Sequence, residues 1–362
     1  MTAASGRATR PIEVFVVDDS AVVREMMTQL LSRQPDMRVT AASDPVIAMD
    51  KMRTVRPDVI LLDLEMPRMD GLTFLRNVMT TDPIPVIVCS GLAQSGTETA
   101  LTALQMGAVE VFAKPQLGLR DFLGQSAPLL VDAVRAAAGA RLRPYVQRTA
   151  LAPLLALRTA DVSPRITTDK VIVVGASTGG TEALRELLEA LPPDAPGVVI
   201  VQHMPAGFTN AFARRLNESC KVEVKEAEAG DRVLEGRALI APGNRHTEIH
   251  RTGAHYVVHV SDGPLVSRHR PSVDVLFRSA ARAAGPNAVG VIMTGMGADG
   301  ADGLLDMKKA GAATIAQDEA TCVVFGMPKE AIARGAVDSV LPLGDIPASM
   351  LRLARGALAR AG

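Results

Sequence analysis

Short runs of Val, Ile and Leu alternate with amphipathic stretches over most of the chain. Short apolar runs bounded by turn residues are typical of buried strands, whereas apolar residues spaced three and four apart indicate helices. The alternation therefore predicts βα repeats around parallel sheets. In the first series the predicted core strands are Ile12–Val17, Val59–Leu62, Val86–Cys89 and Val109–Ala113. The predicted helices are Ala21–Ser32, Gly71–Met79, Gly96–Met106 and a closing stretch around Leu119–Ala140.

A second series of βα units follows. Its predicted strands are Val171–Val174, Val198–Val201, Leu239–Ala241, Val289–Met293, Thr314–Ala316 and Ser339–Leu341. Its predicted helices include Thr181–Leu191, Gly207–Ser219, Val273–Ala284 and Gly300–Ala310. Residues His246–Val260 alternate apolar and polar positions around Thr252-Gly253, which predicts an inserted β-hairpin. The fold class is therefore α/β: a flavodoxin-like (βα)5 unit, then a doubly wound, mostly parallel Rossmann-like domain.

The composition changes between the two series. Residues 141–168 contain arginines at positions 141, 143, 148, 158 and 165, no lysine, and prolines at 144, 153 and 164. Such a segment is typical of an interdomain linker. An arginine strip that packs between domains is the alternative. We therefore expect one domain over 11–140, a linker over 141–168 and a second domain over 169–362.

Length and charge narrow the classes of function. A chain of 362 residues is long enough for two to three domains with their own cores. The formal net charge is zero and Trp is absent, which disfavours nucleic acid as a partner. The three cysteines form no C-x-x-C pair, so reduced thiols are expected. Neither a leader nor a membrane-spanning stretch is visible, and we expect a cytoplasmic protein without membrane insertion.

Charged and hydroxyl side chains stand at the ends of the first-series strands. Asp18 and Asp19 follow the first strand, Asp63 follows another, and Ser90 and Lys114 follow the next two. Ligands of open parallel sheets bind at this edge, and an acidic cluster suits a hard divalent cation. A lysine and a hydroxyl beside it suit a phosphoryl group. Each aspartate alone could instead cap the helix that follows it.

Over roughly 11–140 the chain closely resembles the receiver domain of two-component response regulators. The resemblance rests on the stretches Val17–Ser20, Asp63–Pro67, Met69–Gly71, Cys89–Gly91 and Ala113–Pro115. It implies that Asp63 accepts a phosphoryl group, that Asp18, Asp19 and Asp63 hold Mg²⁺, and that Ser90 and Lys114 bind phosphoryl oxygens. One departure is Val111, which stands where many receivers have an aromatic switch residue.

Three reactive side chains follow strands of the second series. Ser177 lies in Gly175–Gly180, His203 precedes Met204-Pro205, and Asp299 precedes Gly300. Parallel strands bring these loops to one edge, where a serine, a base and an orienting carboxylate form a nucleophilic triad. The glycines leave room for backbone N–H groups around an oxyanion.

Other interpretations of these residues stay open at this point. Gly175–Gly180 could cradle a phosphate at a helix N-terminus, although it matches neither dinucleotide nor P-loop patterns. Asp274 rivals Asp299 as the orienting carboxylate. The hairpin histidines, His246, His250, His255 and His259, could form a metal site, but they have few other potential ligands nearby and hairpin histidines are usually surface residues.

From about Thr168 onward the chain resembles the catalytic domain of the CheB family, the chemotaxis protein-glutamate methylesterases. The matching stretches are Gly175–Gly180, Gln202–Pro205, Ala241–Gly243, His269–Asp274, Thr294–Gly300 and Phe325–Pro328. The resemblance implies a Ser177–His203–Asp299 triad, with the Met296 backbone N–H at the oxyanion and no cofactor for the esterase. The implied reaction is hydrolysis of glutamate γ-methyl esters on chemoreceptors, with glutamine deamidation, under control of a chemotaxis histidine kinase as phosphodonor.

Two further classes of function remain possible from sequence. A receiver could control a nucleotide-binding or non-catalytic module, because the second series has Rossmann-like strand-loop-helix starts. A receiver could also control DNA binding, but neutral charge and a βα output domain disfavour that role.

Overall fold

The computed structural model describes residues 10–66, 69–91, 94–114, 127–142 and 170–355. The chain divides into two compact units, Met1–Tyr145 and Val146–Gly362, and each is described by itself. Nearly all of the expected linker lies outside the described residues, so the boundaries 11–140 and 169–362 stay predictions. Among the described helices, none is both long enough and apolar enough to cross a bilayer.

The first unit is a parallel five-stranded sheet with the order β2-β1-β3-β4-β5. Its strands are β1 Ile12–Val17, β2 Met37–Ala42, β3 Val59–Asp63, β4 Val86–Ser90 and β5 Glu110–Ala113. Its helices are α1 Ala21–Ser32, α2 Pro45–Met52, α3 Gly71–Thr81, α4 Gln94–Gln105 and α5 Ala127–Ala138. Strands covered on both faces are almost wholly apolar, which is why the sequence pattern detects them. The predicted flavodoxin-like sheet is confirmed.

Side chains at the edge of this sheet also begin its helices. Ser20 caps α1 by accepting a hydrogen bond from the Val23 N–H, and Asp70 caps α3 through the Thr73 N–H. Asp18, Asp19 and Asp63 are not the cap residues of these helices. Helix capping therefore leaves their carboxylates available for another role.

The second unit is a parallel seven-stranded sheet with the order β14-β13-β12-β6-β7-β9-β8, accompanied by a two-stranded hairpin. Its strands are β6 Val171–Ala176, β7 Val198–Gln202, β8 Glu223–Glu226, β9 Arg237–Ile240, β10 His246–Thr252, β11 His255–Ser261, β12 Ala288–Ile292, β13 Ala313–Gln317 and β14 Ser339–Leu341. Its helices are α6 Gly180–Glu189, α7 Phe208–Ser219, α8 Val273–Ala283, α9 Ala301–Lys309, α10 Met327–Ala333 and α11 Ile346–Arg355. The predicted doubly wound domain is confirmed.

The strand order reverses at β6, the first strand of this unit. β6 pairs with β12 on one side and with β7 on the other, and all three strands are parallel. This arrangement is a topological switch point, where α/β proteins place their ligands. The loops after β6, β7 and β12 carry Ser177, His203 and Asp299.

The inserted hairpin is confirmed and packs on α8. Ile249 and Val258 lie on its buried face, and the Ile249 N–H donates to the Ser279 hydroxyl of α8. His250 and His259 are on the exposed face. His246 is only 3% exposed, so the expectation of surface histidines is wrong for this one. The reason is that its ring bonds the Pro264 carbonyl and the Ser272 N–H, both in the segment that leads into α8.

Candidate active site

The second unit brings the loops after β6, β7 and β12 together at one edge. The Ser177 N–H donates to the Thr294 carbonyl at 3.0 Å, and the His203 N–H donates to the Ala176 carbonyl at 3.1 Å. The Gln202 side chain donates to the carbonyls of both Ser177 and His203, at 2.9 and 3.1 Å. The loops that carry the serine and the histidine are therefore tied together through their backbones.

His203 and Asp299 form a direct hydrogen bond. Nε2 of His203 lies 2.8 Å from Oδ2 of Asp299, and both side chains are buried. An ionised carboxylate can only accept, so Nε2 carries the proton and Nδ1 is left as the acceptor nitrogen. Nδ1 is buried and has no hydrogen-bond partner among the described residues. A neutral imidazole with a bare nitrogen can act as a general base.

The carboxylate of Asp299 lies at the N-terminus of α8. It accepts hydrogen bonds from the Ser272 hydroxyl at 2.7 Å, from the Val273 N–H at 2.7 Å and from the Asp274 N–H at 3.2 Å. Burial opposes ionisation of Asp299. The hydrogen bond from His203, the positive charge of that ring when it is protonated, and the bonds from Ser272 and Val273 together lower the pKa of Asp299 to about 2. The helix dipole acts in the same direction. Asp299 is therefore a fixed anion at neutral pH.

Asp274, the rival carboxylate, faces elsewhere. It lies in the first turn of α8 and accepts a hydrogen bond from the Gly303 N–H at 2.7 Å. Burial and then the charge of Asp299 raise its pKa, although the Gly303 bond opposes this. The structure thus places Asp299, rather than Asp274, against the histidine.

Ser177 lies just before α6 and is 6% exposed. Gly179 adopts a φ of 75° at the helix start, a conformation that favours glycine. Gly295 packs so closely that a Cβ there would lie 2.7 Å from Cβ of Ser177. These glycines explain the glycine-rich pattern as close packing around the serine, as well as turn geometry.

Met296 follows Gly295 directly and is half-buried. Its neighbour Gly295 is held by bonds from the N–H groups of Gly326 and Met327 to its carbonyl, at 3.1 and 2.8 Å. Within the described part of the chain, the Met296 N–H has no hydrogen-bond partner. An unpaired N–H beside the serine loop can donate to an oxyanion. The role of Met296 stays a prediction.

Sequence reasoning missed the functional environment of two histidines. His269 stacks on His203 with ring centroids 3.8 Å apart and an interplanar angle of 6°. His246 donates from Nε2 to the Pro264 carbonyl at 2.7 Å, and its Nδ1 accepts from the Ser272 N–H at 3.3 Å. His246 thereby supports the serine that bonds to Asp299. The only sequence signal was their position next to, or within, the stretches that carry the family resemblance.

A second polar cluster lies at the edge of the first unit. Oxygen atoms of Asp18, Asp19 and Asp63 lie within 4.8 Å of one another. Nζ of Lys114 is 2.9 Å from Oδ2 of Asp18 and 2.7 Å from Oδ2 of Asp63. Ser90 is buried next to this edge, and its hydroxyl lies 3.1 Å from the Gly96 carbonyl.

The charges of this cluster suit a divalent cation. Burial, followed by the neighbouring charge of Asp18, raises the pKa of Asp63, although Lys114 opposes the shift. The two acidic partners raise the pKa of Lys114 in spite of its burial. Three carboxylates and one ammonium leave an excess of negative charge with oxygen ligands in reach, which is the donor set that Mg²⁺ prefers. Val111 is buried in β5.

Both units of the chain match known protein families. The family "CheB methylesterase" matches residues 172–350, and "Response regulator receiver domain" matches residues 14–121. A protein-glutamate methylesterase/protein-glutamine glutaminase of Anaeromyxobacter dehalogenans is 63% identical over 97% of this chain and 99% of its own length. One from Geobacter metallireducens is 60% identical over 95% of this chain and 99% of its own length.

A solved structure supports the same relationship for the second unit. The crystal structure of the Thermotoga maritima CheB methylesterase catalytic domain is 40% identical, with a TM-score of 0.50. The match covers 51% of this chain and 98% of the Thermotoga maritima chain.

Proposed function

This chain belongs to the CheB methylesterase family, and on that premise we propose that it is a protein-glutamate methylesterase controlled by its receiver domain. Its relatives of 63% and 60% identity are named protein-glutamate methylesterase/protein-glutamine glutaminase over nearly their whole length. The substrate is the γ-methyl ester of glutamate on the cytoplasmic helices of methyl-accepting chemoreceptors. Glutamine side chains are deamidated at the same site, and no cofactor takes part in the hydrolysis.

One observation supports the catalytic assignment above all others: the 2.8 Å hydrogen bond between Nε2 of His203 and Asp299. It fixes the proton on Nε2 and leaves Nδ1 bare. His203 directly follows β7, and Ser177 directly follows the neighbouring strand β6. In the trypsin-like triad the carboxylate bonds Nδ1 instead, and Nε2 is the base. The chemical logic is the same with the two ring nitrogens exchanged.

Hydrolysis proceeds by acyl transfer. Ser177 Oγ forms a bond to the ester carbonyl carbon while Nδ1 of His203 takes the hydroxyl proton. The carbonyl oxygen becomes an oxyanion to which the Met296 N–H donates. The intermediate then expels methanol, whose oxygen receives the proton from His203. Water attacks the acyl-enzyme and gives a proton to His203. His203 passes this proton to Ser177 Oγ as the bond between Oγ and the acyl carbon breaks and glutamate leaves. An amide passes through the same steps and releases ammonia.

Asp299 keeps this cycle in one protonation state. Because its pKa is lowered to about 2, it stays ionised at neutral pH and stabilises the imidazolium that forms in each step. His203 alone then moves the proton.

The receiver domain supplies the control. Asp63 accepts a phosphoryl group from a chemotaxis histidine kinase, and Ser90 and Lys114 bind the phosphoryl oxygens. Asp18, Asp19 and Asp63 hold Mg²⁺, which offsets the added negative charge when it is bound. Phosphorylation of the receiver raises the activity of the esterase. Contact with receptor arrays is peripheral and involves neither membrane insertion nor nucleic acid.

The proposed nucleophile is tested by Ser177→Ala in the full-length protein, with methylated chemoreceptor membranes as substrate. We expect methanol release to fall by at least about 10³-fold because the acyl-enzyme cannot form. Ser261→Ala, a half-buried serine at the end of β11, serves as the control and should retain activity. Near-normal methanol release by Ser177→Ala would refute the assignment.

A further inference from the structure

His269 lies outside the proposed triad but covers one face of its base. The ring centroids of His269 and His203 are 3.8 Å apart, and the two planes are parallel within 6°. No hydrogen bond from the His269 ring to another described residue holds it there. The contact between the two rings is therefore the principal specific interaction of this side chain.

The backbone before His269 holds the ring in this place. Ser267 and Arg268 have φ values of 51° and 67°, a left-handed conformation that is uncommon for residues other than glycine. The turn is closed at both ends, because the Val266 and His269 N–H groups each donate to the other's carbonyl, at 3.1 and 2.8 Å. Strained backbone residues of this kind cluster at functional sites.

The segment after the turn is anchored on both sides. Arg270 donates to the Asn244 side chain and to the Gly263 carbonyl, at 2.7 Å each for the shorter bonds. Ser272, a little further on, bonds Asp299 and receives support from His246. The His269 ring is thus held on the same short segment that holds the triad carboxylate.

The charge state of His269 suits a ring that stacks on His203 and takes no part in proton transfer. Burial and then the nearby His203 lower the pKa of His269 to about 3, although Asp299 opposes the shift. The ring is neutral at neutral pH. A neutral ring can cover His203 while that residue gains and loses a proton, without adding a second positive charge.

We propose that His269 is a positioning residue for the esterase reaction: its flat ring, stacked on His203, fixes the plane of the catalytic imidazole. With Nε2 tied to Asp299, His203 can still tilt about that single bond. A parallel ring prevents the tilt and keeps Nδ1 in one orientation. This inference rests on the proposed triad. Displacement of a catalytic group by about 1 Å can cost on the order of 10²-fold in rate.

Three substitutions in the full-length protein separate the flat ring from its other properties. His269→Phe keeps a flat ring without nitrogens, His269→Leu keeps volume without a plane, and His269→Ala removes both. The exposed His250→Ala on the hairpin is the matched control. Methanol release from methylated receptor gives kcat and KM, and thermal unfolding reports the folded fraction.

We expect kcat to fall by about 10- to 100-fold in the Ala and Leu variants with KM within about twofold, because positioning affects the transition state. His269→Phe should recover kcat to within about threefold of the parent, and His250→Ala should match the parent. If His269→Ala fails to fold, the comparison of Leu with Phe decides the question.

Two results would overturn the proposal. One is a kcat near that of the parent in a folded Ala or Leu variant, and the other is a Phe variant as slow as Leu. Ser177→Ala, measured in parallel, distinguishes failure of the positioning role from failure of the triad assignment. If Ser177→Ala stays active the triad itself is wrong, whereas an inactive Ser177→Ala beside an active His269→Ala defeats only the positioning role.

Discussion

Asp63 and Asp299 invite comparison because each is a buried carboxylate at the loop-bearing edge of its sheet. Asp63 is the last residue of β3 and Asp299 lies in the loop that follows β12, and they are 3% and 2% exposed. Burial alone would raise the pKa of both. The pKa of Asp63 is indeed raised, whereas that of Asp299 is lowered to about 2.

The difference lies in the neighbours. Asp299 accepts hydrogen bonds from the His203 ring, the Ser272 hydroxyl and the first backbone N–H groups of α8. Among the described residues, Asp63 has one backbone donor, the Glu65 N–H at 3.2 Å, and it shares the ammonium of Lys114 with Asp18. Saturating a buried carboxylate with donors makes a rigid anchor. Leaving it short of donors and beside a like charge makes a group that can take a cation or a covalent modification.

The largest effect that tests this comparison is expected for Asp299→Asn. An amide cannot impose the same proton position on His203, so kcat should fall on the order of 10⁴-fold, as for the equivalent change in a serine protease. Methanol release from methylated receptor measures the loss.

Asp274→Asn is the matched control, because this buried aspartate lies in the helix turn to which Asp299 is bonded but itself bonds the Gly303 N–H instead of His203. It should reduce kcat far less than Asp299→Asn. Equal losses from both substitutions would mean that the whole turn, and not the orienting carboxylate, sets the rate.

Asp63→Asn is expected to affect regulation only. In the parent, a small acyl phosphate with Mg²⁺ should raise methanol release, because phosphorylation reorganises the charged cluster. In Asp63→Asn the ratio of release with and without the acyl phosphate should fall to about one. Asp50→Asn, an exposed residue of α2, should keep the response. A normal response in Asp63→Asn would place the phosphorylation elsewhere.

A smaller effect of opposite sign is expected in stability. In metal-free buffer at neutral pH, Asp63→Asn should raise the unfolding temperature of its unit by a few degrees, because one of three clustered negative charges disappears. Asp299→Asn should lower the stability of its own unit by about 2 kcal/mol, the worth of a pKa held about two units low. Calorimetry of the full-length variants measures both.

Low pH and added Mg²⁺ make the prediction on stability sharper. The ionised Asp299 stabilises the fold above its unfolded pKa of about 4, and that stability is lost as the pH falls towards 2. The gap between the parent and Asp299→Asn should therefore close over this range. Adding Mg²⁺ should stabilise the parent but not Asp63→Asn. Destabilisation by both substitutions in metal-free buffer would contradict the difference between the two carboxylates.

Much of this arrangement could be predicted from the sequence. Buried parallel strands are nearly continuous apolar runs, so β1, β3, β4, β6, β7 and β12 were found, and with them the polar residues at their ends. The edge strand β8 was missed because only Val224 of its four residues is buried. Bounds were not predicted for β2, where only Met37 and Ala42 are buried.

The surroundings of the triad could not be predicted in the same way. That Asp299 faces Nε2 of His203 depends on how α8 is placed over β12, and periodicity does not encode that placement. His269 reaches His203 through a turn in which Ser267 and Arg268 have positive φ values. Neither position is a glycine, so the sequence does not indicate this turn. The pattern of apolar and polar residues therefore locates the reacting groups, whereas three-dimensional packing determines which of their atoms are in contact.

The attachment of Asp299 to the opening turn of α8 has a consequence for inhibitors. The backbone amides that hold this carboxylate belong to a single helical turn, entered from the hairpin side of the domain. A compound that wedges this turn open would deprive the imidazole of its counter-charge without approaching the serine. Such a compound would slow turnover without competing with the substrate for the serine, so raising the substrate concentration would not overcome it.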